Sequence, residues 1–219
     1  MRSFAEILEI AVARKGSEAA VLEGAPRPLP PEELAAIPDA RWLAQMAKGI
    51  FQAGISWQVV EAKWEGITAA FHGFDPGRVS LMSEDEVEAL LSDPRVIRSG
   101  PKILAVRDNA TLIRSVPEGF GRRVADWPGQ DFTGLLAWLA TEGSRLGGTT
   151  GQYMLRFMGK DSFILTRDVL ARLTEEGVIA GSAGSAKAMQ AIQSAFSQWQ
   201  AESGRSFNEI SRVLARSSG

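Results

Sequence analysis

The chain has 219 residues, 45% of them hydrophobic and 23% charged, enough to bury a sizeable core and remain dissolved. Its 24 basic and 26 acidic residues give a net charge of −2, so global charge does not mark it as a nucleic-acid binder and any such contact must come from a local patch. Cysteine is absent and His72 is the single histidine, which removes disulfides, thiol nucleophiles, Cys/His zinc sites and histidine triads; carboxylates, hydroxyls, lysines, Tyr153 and tryptophans are left for chemistry.

Ser3 followed by Glu6 forms a capping-box pattern, Ile7, Leu8 and Ile10 to Val12 supply an apolar face, and Gly16 a stop. These predict a helix within an N-terminal arm, residues 1–24. Ala25-Pro26-Arg27-Pro28-Leu29-Pro30-Pro31 reads as a stiff extended connector over 25–38, with a helical body over 39–219. No apolar run approaches the roughly 20 residues needed to cross a bilayer, and Glu6 and Glu9 interrupt the place where a signal peptide needs an apolar core. The expectation is a cytoplasmic protein with no membrane partner.

Within the body, Trp42, Leu43, Met46 and Ile50 form one helical stripe, and Val60, Trp64, Ile67 and Phe71 another, with Ala53-Gly54-Ile55-Ser56-Trp57 between them. Ser83 with Glu86 repeats the capping box ahead of Val87, Leu90 and Leu91, and Lys102 to Ile113 reads as a further amphipathic helix. Phe132, Leu135, Leu136 and Leu139 recur at helical spacing, as do Tyr153, Met154, Phe157 and Met158, on either side of Gly147-Gly148-Thr149-Thr150-Gly151. The segment 146–152 is then a turn between two helices. It reads either as a helix-hairpin-helix, whose backbone N–H groups grip a phosphate, or as an ordinary connection with glycine ending the first helix. Met189, Ile192, Phe196 and Trp199, then Phe207, Ile210, Val213 and Leu214, continue the helical pattern to the C-terminus. Alternating strand-like runs are scarce, so the predicted fold class is all-α.

The run Phe51-Gln52-Ala53-Gly54-Ile55-Ser56-Trp57, continued by Phe71-His72-Gly73-Phe74-Asp75-Pro76, resembles the DNA-3-methyladenine glycosylase I family, within the helix-hairpin-helix DNA glycosylase superfamily. Val79, Met82, Glu84-Asp85-Glu86-Val87, Ile97-Arg98, Lys102-Ile103 and Asn109-Ala110 stand in that family's order. Gly148-Thr149-Thr150 with Tyr153 and Met158 matches its hairpin region, so the similarity spans roughly residues 40 to 160. The resemblance implies a helical body of two lobes around a DNA groove. Its implied activity is hydrolysis of the N-glycosidic bond of an alkylated or otherwise modified base, without cofactor, by a monomer acting on duplex DNA.

By that resemblance Trp57, Gln52 and Tyr153 are base-pocket candidates, with Trp57 as the stacking surface. A core tryptophan is the competing reading for Trp57, and helix capping for the Gln52 amide. Where the family places a pocket glutamate, eight positions before the tryptophan, this chain has Gly49, which removes the charge that would favour a cationic alkylpurine. The family's zinc site lacks its cysteines and histidines here, and apolar packing of the C-terminal segment would replace it. Gly148, Thr149, Thr150, Gly151 and Lys102 are the phosphate-binding candidates. Asp168, at about the superfamily's catalytic distance after the hairpin, is the candidate carboxylate beneath the sugar; the alternative is a helix-start aspartate on the helix dipole, and Asp161 is the reserve. No lysine lies in Gly147 to Gly151, so a lyase mechanism is not expected. His72 reads as a helix-end or surface histidine without chemistry, and Arg98, Arg107, Arg114, Arg122 and Arg123 as a diluted basic surface. The other functional reading is a non-catalytic DNA-binding protein of the same fold.

Overall fold

The computed structural model describes residues 1–218, and among them the chain is helix and turn with no strand. In chain order the helices are α1 (Phe4–Lys15), α2 (Glu18–Leu22), α3 (Pro31–Ala35), α4 (Asp39–Gln52), α5 (Trp57–Ala70), α6 (Pro76–Ser80), α7 (Glu84–Ser92), α8 (Gly100–Ser115), α9 (Phe120–Asp126), α10 (Phe132–Glu142), α11 (Thr149–Phe157), α12 (Arg167–Glu175), α13 (Ala186–Ser203) and α14 (Phe207–Ser217). They fall into two compact units. The terminal unit comprises Met1–Leu29, Pro128–Gly134 and Gly159–Gly219; the central unit comprises Pro30–Trp127 and Leu135–Met158.

In the terminal unit, α1 begins where the sequence places it: Ser3 Oγ accepts from the Glu6 N–H, the Glu6 carboxylate accepts from the Ser3 N–H, and left-handed Gly16 ends the helix. Its apolar face packs on α14, whose Phe207, Ile210, Val213 and Leu214 are all buried. Phe163 and Phe196 stack with centroids 4.3 Å apart, and Phe207 and Trp199 close around Phe196 at 5.7 and 5.8 Å. All four rings are buried.

Beside that cluster lies a buried ionic group. The Glu176 carboxylate accepts from the Arg2 backbone N–H at 2.8 Å, from Arg2 Nη1 at 2.7 Å and from Arg172 Nη1 at 3.4 Å. Arg172 also donates through Nε to Ser217 Oγ at 2.8 Å and through Nη2 to the Ser217 carbonyl. Burial alone would raise the Glu176 carboxyl, but the Arg2 N–H, the Arg2 guanidinium and Arg172 together hold it below the usual glutamate range. The zinc site implied by the resemblance does not fit this chain, since among the described residues no three His, Cys, Asp or Glu side chains gather where a metal could be held. Apolar packing of α14 and the Arg2–Glu176–Arg172–Ser217 group hold the two chain ends together instead.

The central unit is organised on α4. Trp42, Leu43, Met46, Ala47, Ile50 and Phe51 are buried along it, against α8, α9 and α11. Pro31 starts the short helix α3, which packs on α9; the connector reading had no helix there, and a proline at the first helical position fits because its missing N–H is not needed. After α5 the chain makes a left-handed turn, with φ of 54° at His72, 65° at Gly73 and 60° at Phe74. Only Gly73 takes this region freely; packing holds Phe74, while His72 is exposed. Phe74 is buried between Trp64 and Phe71, stacked on them at 5.3 and 5.6 Å. No helix among the described residues is long and apolar enough to cross a membrane.

Candidate nucleic-acid interface

The site is built where α4 stops. The last carbonyls of a helix need partners, and Lys102 Nζ supplies them, donating to the Phe51 carbonyl at 3.1 Å and the Ala53 carbonyl at 2.6 Å. Burial, and then the nearby Arg145 guanidinium, pull the Lys102 ammonium below the usual lysine range. The chain reverses through Gly54, at φ 75°, and enters α5 at Trp57. Trp57 is 47% exposed and stands edge-on to Tyr153 at 5.6 Å and Phe157 at 6.2 Å. Tyr153 and Phe157, one turn apart on α11, stack on each other at 5.9 Å, and Phe157 is 53% exposed. Three aromatic rings thus share one wet surface where a soluble protein normally buries such area.

Gln52 and Gly49 lie on the α4 face that meets α11. A Cβ at Gly49 would come 3.2 Å from the Thr150 methyl, so the missing side chain is what admits the first turn of α11. Gln52 is only 8% exposed, and its amide has no hydrogen-bond partner among the described residues. Its polar atoms are not sealed off from solvent. Lys48 pairs with Glu61 at 2.7 Å and lies 4.9 Å over the Trp64 ring, so neither ion of that pair is free.

The hairpin joins α10 to α11. Asn109, fully buried on α8, fixes its first residue: the side-chain amide donates to the Ser144 carbonyl and its oxygen accepts from the Ser144 N–H, both at 2.9 Å. Arg145 follows at φ 59° with no carboxylate partner among the described residues. Gly148 precedes α11 at φ 59°, ψ −141°, a region open to glycine alone, and no side chain caps the helix start. A Cβ on Gly151 would lie 2.3 Å from the Leu146 carbonyl oxygen, so close backbone approach requires that glycine. Gly147, Gly148 and Thr149 are exposed, Thr150 is half-buried and Gly151 buried, and no side chain caps the first N–H groups of α11.

The remaining candidates are carried by other elements. Asp168 is exposed in the first turn of α12, behind the Thr166 cap, and belongs to the terminal unit, not to the unit that carries the aromatic surface. Asp161 accepts from the Phe207 and Asn208 N–H groups at 3.0 Å each, which caps α14. His72 Nε2 stands 3.9 Å from Glu86 on the surface. Arg107, Arg122 and Arg123 pair with Glu84, Asp126 and Glu118, and Arg114 donates to Ser80, while Arg98 has no partner among the described residues.

Residues 38–126 match the family model described as methyladenine glycosylase. The resemblance to that family holds over this segment. It includes Gly49, Gln52, Trp57, Lys102 and Asn109, and leaves the hairpin and Asp168 outside. Over 59 residues the chain is 48% identical to DNA-3-methyladenine glycosylase 1 of Escherichia coli (strain K12) and 37% identical to DNA-3-methyladenine glycosylase of Haemophilus influenzae, in each case 27% of this chain and 32% of the relative. The chain therefore spans about a third of the length of these curated relatives. Among solved structures, the crystal structure of 3-methyladenine DNA glycosylase I aligns with a TM-score of 0.45 and 29% identity, covering 55% of this chain and 77% of the other. Arg145, whose charge acts on Lys102, is a cation near the end of α4 that sequence reasoning missed; its signal was a lone arginine two residues before Gly147, with no acid within two residues.

Proposed function

We propose that this protein is a monofunctional DNA glycosylase that hydrolyses the N-glycosidic bond of a modified base in duplex DNA, as a cytoplasmic monomer. The observation that carries the reading is Trp57: inside the methyladenine glycosylase match, it is held half-exposed against Tyr153 and Phe157. A base within a duplex is out of reach, so it must rotate out and be received by flat surfaces whose contacts offset the unstacking, which costs a few kcal/mol. Trp57 and Tyr153 are such surfaces. The uncapped N–H groups at the exposed start of α11, Gly148 and Thr149, are suited to backbone phosphate, which fixes position without reading sequence. Lys102 has one N–H donor left after capping α4, and serves first to hold the turn that presents Trp57.

In the reaction the C1′–N bond breaks with its electron pair leaving on the base, and a water oxygen bonds to C1′. One water proton goes to the released base and the hydroxyl stays on the sugar. Positive charge builds on the sugar as the base departs, and a fixed carboxylate beneath it lowers that barrier; Asp168 is the proposed group. The test is single-turnover base release from duplexes carrying different modified bases. Release of a base establishes the glycosylase; lesion-dependent binding with no release from any duplex replaces it with the non-catalytic DNA-binding reading.

A further inference from the structure

Resting on the glycosylase reading, we propose that the base received here is uncharged and presents a lactam edge, a carbonyl beside a ring N–H, which the Gln52 amide reads. Gln52 lies at the end of α4, one turn beyond Gly49 on the same helix face, and five residues before the Trp57 surface. Its side chain is buried to within 8% of full exclusion, yet its amide has no partner among the described residues and keeps access to solvent. A buried glutamine ordinarily finds partners for both halves of its amide. One that leaves them unpartnered yet reachable offers a donor beside an acceptor, and a lactam is the complementary pair: the glutamine N–H₂ donates to the base carbonyl and the glutamine oxygen accepts from the ring N–H.

Charge points the same way. A cationic base taken out of water needs a carboxylate near its ring. At position 49 there is no side chain, and a Cβ there would stand in tight contact, 3.2 Å, with the Thr150 methyl. Glu61 is held by Lys48. The free charges at this end of α4 are positive: Lys102, bonded to the two carbonyls that flank Gln52, and Arg145, neither with a carboxylate partner among the described residues. Such a setting repels a cationic alkylpurine and leaves a neutral base unopposed.

Two measurements on the full chain test this. The first compares single-turnover release of hypoxanthine and of 3-methyladenine from otherwise identical duplexes. The second measures, by calorimetry without DNA, binding of free hypoxanthine and of 3,9-dimethyladeninium, a permanently charged mimic of an alkylated nucleoside. The expected results are faster release of hypoxanthine, tighter binding of hypoxanthine, and at least about a 10-fold loss of hypoxanthine release in Gln52→Leu. Gln52→Glu, closer in shape should the leucine variant misfold, is expected to shift preference toward the cation. Faster release of 3-methyladenine, unchanged hypoxanthine release in a folded Gln52→Leu, or tighter binding of the cation overturns the proposal. No release from either duplex sinks the glycosylase reading itself; the binding comparison then still decides the pocket, and failure of hypoxanthine to bind overturns it too.

Discussion

Two aromatic clusters, one in each unit, are assembled with the same edge-on and stacked ring contacts and differ in their exposure to water. Phe163, Phe196 and Phe207 are buried and make a core. Trp57, Tyr153 and Phe157 keep about half of the Trp57 and Phe157 surface wet. The first arrangement lowers the folding free energy by removing apolar area from water; the second forgoes that gain. A surface that forgoes burial is free to gain it on meeting a ligand.

The largest effect expected from this contrast is on stability. Phe196→Ala should cost about 3–5 kcal/mol in denaturant unfolding, because a ring packed on three others leaves a cavity. A loss below about 1 kcal/mol would mean the cluster is not the support described. Next, Asp168 asks whether the packing-dominated unit also has a chemical part. Asp168→Asn is expected to leave the melting curve and DNA affinity in place and to lower single-turnover base release by at least about 100-fold. Parental release would return the terminal unit to a purely structural role and shift attention to Asp161 or to leaving-group charge alone.

Trp57→Ala sharpens the comparison from the other side. Stability should change by less than about 1 kcal/mol, as for an exposed residue, while affinity for a lesion duplex falls by about 1–3 kcal/mol and affinity for undamaged duplex is kept. Equal loss on both duplexes would make the ring a general DNA contact and not a base platform. The smallest effect concerns acid. Glu176 is held below the ordinary glutamate range, so the stability it supplies is complete above that range and disappears as pH falls through its folded-state value. Melting temperatures of parent and Glu176→Gln should differ at neutral pH by a few degrees, on the order of 1 kcal/mol, and converge in acid. A gap that persists in acid would assign the effect to packing instead of charge.

What the sequence discloses follows the range of the forces. Capping boxes at Ser3 and Ser83 and the helical stripes of α4 and α14 are local, and each appears in the structure at the expected residues. The all-α class follows from the same periodicities. The pairing of α1 with α14 could not be seen, because both faces are simply apolar and nothing local names the partner. At the site, Gly148 and Gly151 mark the hairpin by residue type alone. That Gln52 lacks a partner, that Asn109 clamps Ser144, and that Lys102 caps α4 depend on atoms brought together from 35 to 51 residues away. The three-residue left-handed turn at His72 was hidden for another reason: Phe74 is held there by ring stacking, against its own preference.

The two hairpin glycines carry a stereochemical consequence. Gly151 has an ordinary helical backbone and is excluded from change by size, since any L-residue drives its first carbon into the Leu146 carbonyl. Gly148 has open space where an L side chain would begin and is excluded by handedness alone. Inverted, its φ of 59° and ψ of −141° become the extended angles that chiral residues favour, so the backbone there is the one a D-alanine, built in by chemical synthesis, adopts without strain, where its mirror image would be strained.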